Sequence, residues 1–66
     1  MVIGYDGQVY KVGDRVEVHA GMEIARRGMR FGIVQDIGGP QSVVVKLDRR
    51  EAPVEGNGLS FRRIDG

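Results

Sequence analysis

The sequence predicts an all-β domain, a small five-stranded barrel with two long loops over 20–30 and 49–58. Three observations predict it. Val, Ile and Leu recur mostly at every second position, the spacing of a strand with one buried face. Eleven glycines in 66 residues divide the chain into short runs. Turn-forming residues separate those runs at intervals of about eight to twelve residues, the rhythm of a small barrel, whose closure removes sheet edges.

The elements follow in order. Asp6-Gly7 lies between Val2-Ile3-Gly4-Tyr5 and Gln8-Val9-Tyr10-Lys11 and predicts a type I′ hairpin. Gly13-Asp14 turns into Arg15-Val16-Glu17-Val18-His19, a clean alternation with Val16 and Val18 on one face. Met22 to Arg27 has helical propensity, but a helix of that length is unstable alone, so 20–30 reads as a long loop with room for one helical turn. Phe31 to Ile37 is a strand in which Gly32 marks a bulge or a close backbone approach. Gly38 to Gln41 is a turn, and the β-branched run Ser42 to Asp48 is a strand with Val43, Val45 and Leu47 inward. Pro53, Gly56, Asn57 and Gly58 break the second long loop, which is expected to be mobile and to bury little. Leu59 to Arg63 is the last strand, and Ile64 plugs the barrel end. Val16, Val18, Val34, Val45, Leu47 and Phe61 are the expected core.

Sixty-six residues make one domain, which buries only roughly 60% of the surface its unfolded chain exposes. No Cys is present, so neither a disulfide nor a thiolate metal site supports it, and no cofactor is expected. Efficient packing or self-association into a homo-oligomer remains. The longest strongly apolar stretch is Val43–Val45, far short of a membrane span. The N-terminus lacks the basic start and apolar core of a signal peptide, and the chain reads as cytoplasmic.

Net charge is +1, too small to dictate a polyanionic partner. Its distribution says more. Residues 21–50 sum to +3, whereas the segments on either side each sum to −1. Eight of the ten basic residues are Arg, which grips phosphate or carboxylate through two nitrogens and stacks on flat groups.

Gly13-Asp14, Val16, Val18, Gly21, Gly28, Gly32, Val34 and Ile37 together resemble a KOW motif, the SH3-like element of some ribosomal proteins and transcription elongation factors. The resemblance covers residues 13–37, with roughly three or four extra residues between Gly21 and Gly32. Val43-Val45-Leu47 and Phe61-Arg62-Arg63-Ile64 look like the closing strands of SH3-like barrels, a build also found in small phage and mobile-element proteins. The resemblance implies contact with an RNA or DNA backbone, or docking on a nucleic-acid machine.

Catalysis is not expected. Ser42 and Ser60 lie in predicted strands, His19 is the only candidate base, and no spacing suggests a dyad. No phosphate-binding glycine loop occurs. The sharpest cluster is Arg26, Arg27 and Arg30, beside Met22, Met29 and Phe31, where guanidiniums near an aromatic ring suit phosphates and a stacked base. Arg49-Arg50 and Arg62-Arg63 flank the second loop and extend that candidate nucleic-acid surface. The alternative is a protein-interaction module docking through Met22, Ile24, Met29 and Phe31, since Met and Arg are enriched at interfaces.

Overall fold

Val16, Val18, Val34, Val43, Val45, Leu47 and Phe61 are all buried, and they come from four strands that pair with one another. In the computed structural model, which describes residues 1–64, the chain runs β1 (Val2–Ile3), β2 (Val9–Tyr10), β3 (Arg15–Val18), α1 (Glu23–Arg26), β4 (Phe31–Ile37), β5 (Ser42–Leu47), β6 (Val54–Asn57), a 3-10 turn (Gly58–Ser60) and β7 (Phe61–Arg63). The fold is mostly β, as expected, but it has seven strands in two sheets. β1 and β2 form a hairpin. The other five are antiparallel in the order β6-β5-β4-β3-β7. That sheet is not closed by hydrogen bonds; β6 and β7 are its edges.

Strand alternation places the core where the sequence put it. All six expected core residues are buried. Val2 and Tyr10 from the hairpin and Ala25 from α1 complete the cluster.

Three expectations are corrected. The second half of the long loop is structure: Val54–Asn57 forms β6, pairing Val45 with Val54 and Ser42 with Asn57. Its Gly and Asn read as breakers, yet the free edge of β5 supplies the ladder. Leu59 and Ser60 belong to the 3-10 turn, not to the last strand, because the Asn57 side chain accepts the Leu59 N–H at 2.8 Å and winds the backbone there. The first hairpin is not type I′. Gly7 alone in its loop has positive φ, and the Gly7 N–H donates to the Gly4 carbonyl across a three-residue loop. The bulge in β4 falls between Val34 and Asp36, leaving Gln35 as the extra residue. Gly32 serves the close approach expected as one of its two roles, since a Cβ there would lie 2.6 Å from the Lys46 carbonyl oxygen and 2.9 Å from Val45 Cγ1.

The helical turn expected within 20–30 is α1. Four residues are too few for an isolated helix. Its end is closed by a paired cap: the Gly28 N–H donates to the Ala25 carbonyl and the Met29 N–H to the Ile24 carbonyl. Ile24 and Met29 then pack against the core.

The hairpin closes another side. Tyr10 Oη donates to the Gly58 carbonyl at 2.8 Å in a buried hydrogen bond. The Tyr5 N–H donates to the Phe61 carbonyl. Gln41 serves as a substitute strand for the edge of β1. Its Oε1 accepts the Ile3 N–H at 3.0 Å and its Nε2 donates to the Ile3 carbonyl at 3.3 Å. Ile64 is half-buried, and its N–H donates to the Arg15 carbonyl.

Two outcomes test this packing. Gly32→Ala is expected to destabilise by roughly 1–3 kcal/mol through overpacking, read as a lower denaturant midpoint. Burial pushes the Tyr10 hydroxyl up to about 12 from an ordinary 10.0. The folded value exceeds the unfolded one, so this contribution is intact below about pH 10 and fades as pH rises through about 12. Tyr10→Phe should lower stability at neutral pH by about 1 kcal/mol. It should also flatten the alkaline fall of the midpoint; an equally steep fall would contradict the assignment.

Candidate binding surface

If Val16 and Val18 face the core, Arg15, Glu17 and His19 must face outward, because successive strand residues point to opposite sides. The same alternation turns Phe31 and Ile33 of β4 outward around buried Gly32 and Val34. It does so for Lys46 of β5 beside Val45 and Leu47, and for Arg62 of β7 beside Phe61. Register assembles these side chains. Glu17 pairs with Phe31 on one flank and with Arg62 on the other. Arg15 pairs with Ile33, and Ile33 with Lys46.

Glu17 is the hub. Its Oε1 accepts from Arg62 Nη2 at 2.7 Å and Nε at 2.9 Å, and its Oε2 accepts from Arg30 Nη2 at 2.8 Å. The Glu17 side chain is 12% exposed, while Arg30 and Arg62 remain 47% and 43% exposed. One carboxylate therefore orders two guanidiniums that still reach solvent. The Glu17 hydrogen bond holds Arg62 above its ordinary value.

Arg15 makes a forked pair with Asp48, at 2.5 and 3.2 Å. Its Cζ lies 5.8 Å from the centre of the Phe31 ring, within cation–π range. The Lys46 ammonium donates to the Leu47 and Arg50 carbonyls, which ties the β5–β6 connection to the same face. Phe31 is 39% and Ile33 38% exposed, leaving apolar surface between the cations. Arg15, Arg30, Lys46 and Arg62 stand against Glu17 and Asp48, a local balance of +2. Beyond Glu17 on β3, His19 meets Tyr5 edge-to-face at 4.7 Å, and Tyr5 is close enough to Arg62 to act on its charge. His19 Nδ1 accepts the Gly21 N–H at 2.9 Å, so the neutral ring carries its proton on Nε2.

The expected arginines are thus divided. Arg30 and Arg62 are brought together through Glu17. Arg26 is exposed on α1, and Arg27 is paired with Glu23 one helical turn back at 2.8 Å. The Arg49 guanidinium lies beside Gly28, so the connection after β5 does reach the end of α1. Arg50 is exposed and contributes its carbonyl to Lys46. Arg63, the neighbour of Arg62 in β7, lies 3.8 Å from Asp14 and lines a cleft of about 140 Å³ with Met1, Val9, Tyr10 and Lys11. Of the apolar docking set, Met22 and Phe31 are exposed, whereas Ile24 and Met29 are half-buried against the core.

Arg15 and Lys46 were not among the expected site residues. Carrying strand alternation outward as well as inward would have found both. Among the described residues, no group of three or more His, Asp or Glu side chains is placed to hold a metal ion. No helix among them is long and apolar enough to cross a membrane.

No family model, curated protein or solved structure matches this chain.

The Arg15 pair makes a pH prediction. Its hydrogen bond holds the Asp48 carboxyl below an ordinary 3.8. A depressed folded value means the contribution is present above that range and lost as pH falls through the folded value. Asp48→Asn should lower stability slightly at neutral pH and blunt the acid loss below about pH 4. Parallel acid unfolding curves for the variant and wild type would exclude the pair as a source of acid sensitivity.

Proposed function

We propose that this chain is a non-catalytic binding domain, an SH3-like barrel of KOW-like character, that contacts nucleic acid through the outer face of its five-stranded sheet. The observation that carries this reading is the convergence of Arg15, Arg30, Lys46 and Arg62 around exposed Phe31 on that one face. The architecture is compatible: β3 to β6 form a meander, and β7 returns to pair with β3. Phosphates suit the exposed sides of Arg30 and Arg62, which are brought together and oriented by Glu17. Internal pairing does not disable such cations, because solvent-exposed ion pairs contribute only about 0–1 kcal/mol and exchange readily for a stronger anion. Screening limits each charge to roughly 8–10 Å at physiological salt, so the local balance matters more than the chain's net +1.

Protein docking is the competing reading, and the exposure of Phe31 and Ile33 favours placing it on this same face rather than on the helical loop. Salt separates the two, because phosphate contacts weaken steeply as salt rises and apolar docking does not.

Fluorescence anisotropy with labelled oligonucleotides at low salt is the test. Arg30→Gln and Arg62→Gln together should weaken binding to every sequence tried and reduce the salt slope by roughly 0.7–0.9 per lost contact. Arg26→Gln with Arg27→Gln should change it less. Absence of wild-type binding at low salt, where the electrostatic contribution is greatest, would end the nucleic-acid reading.

A further inference from the structure

We infer that the nucleic acid bound by this face is single-stranded, and that Phe31 is the platform on which one of its bases stacks. The inference rests on the nucleic-acid reading above and adds to it the strandedness of the ligand and the residue that selects it.

Three observations carry it. First, Phe31 is an aromatic ring left 39% exposed in the middle of a charged face. Its strand neighbour Ile33 shares that exposure, so the centre of the surface is apolar while its rim is cationic. Phosphate alone would need only the rim. A ligand that also presents flat apolar faces uses both.

Second, the cations bracket the ring. Arg15 lies 5.8 Å from the ring centre and is held by two hydrogen bonds to Asp48. Arg30 precedes Phe31 directly, and Arg62 reaches the same Glu17 that pairs with Phe31. A backbone phosphate on Arg30 or Arg62 therefore leaves the attached base within reach of the ring. Arg15 adds a second group able to stack on that base.

Third, further rings follow along the chain: His19, two residues beyond Glu17, is exposed and meets Tyr5 edge-to-face at 4.7 Å. A duplex, whose bases already stack on both sides, offers no face to Phe31, whereas a single strand can splay its bases out.

The test compares three ligands of equal length at low salt: a single strand, its duplex, and an abasic strand with the same phosphates, each made as RNA and as DNA. The single strand should bind at least about fivefold more tightly than the abasic strand, since stacking of one base corresponds to roughly 5- to 150-fold. It should also bind more tightly than the duplex. Phe31→Leu keeps apolar volume but no ring; it should lose that factor on the single strand and leave abasic binding and the salt slope unchanged. Phe31→Tyr keeps the ring and should retain affinity. Circular dichroism checks the fold of each variant, and the wild-type comparison of the single and abasic strands decides the matter even if the Leu variant unfolds. Equal wild-type affinity for all three ligands would overturn the single-strand inference and leave a backbone-binding surface. No binding of any ligand at low salt would overturn both readings.

Discussion

The inward row of β-branched side chains on β3, β4 and β5 is the constraint on which the rest depends. Val16, Val18, Val34, Val43 and Val45 are essentially without solvent contact. A shift of one residue in any of these strands would turn its apolar set outward and its charged set into the core. Burial therefore fixes register, and register in turn decides which outward residues become neighbours. The Glu17 hub exists because Val16 and Val18 cannot be anywhere else. The bulge at Gln35 obeys the same rule. It lets Val34 and Val43 both remain buried while the ladder continues past them.

Electrostatics on the outer face organises more than it stabilises. Glu17 and Asp48 each engage Arg through short bonds, but the guanidiniums stay partly in water, where such pairs add little to folding. What the carboxylates do supply is placement. Without Glu17, Arg30 and Arg62 would be two flexible side chains repelling each other. With it, they are held in a shared geometry beside Phe31. A surface organised in this way has its cations ordered before any ligand arrives, which lowers the entropy lost on binding.

A domain this small has little interior, and its edges matter accordingly. Three devices close the fold around the five-stranded sheet: the hairpin carrying Val2 and Tyr10, the single turn of α1 carrying Ala25, and the Gln41 side chain bonded to both backbone groups of Ile3. The hairpin and α1 cover apolar groups, and Gln41 satisfies polar ones. Tyr10 joins the two tasks in one side chain, with its ring in the core and its hydroxyl on the Gly58 carbonyl.

Local pattern by itself determined the fold class, strands β3, β4 and β5, the direction in which each faces, and the helical turn, because period-2 burial and β-branched composition act within a few residues. Five of the six expected core residues followed from that, and Phe61 from the last strand. The expected site was only half legible. Arg30 and Phe31 were named in one sequence cluster and Arg62 in another. Arg15 and Lys46 were missed because neighbourhood along the chain stood in for neighbourhood across the sheet. Only the tertiary structure decided the rest. Val54–Asn57 becomes a strand because β5 offers an unpaired edge, against the preference of its Gly and Asn. Ile24 and Met29 turn inward because the cap of α1 sets them on the core. Arg62 parts from Arg63 because adjacent strand residues face opposite ways, and it meets Arg30 because one carboxylate on β3 stands between β4 and β7. These outcomes depend on contacts between residues far apart in the chain, whose geometry no local spacing encodes.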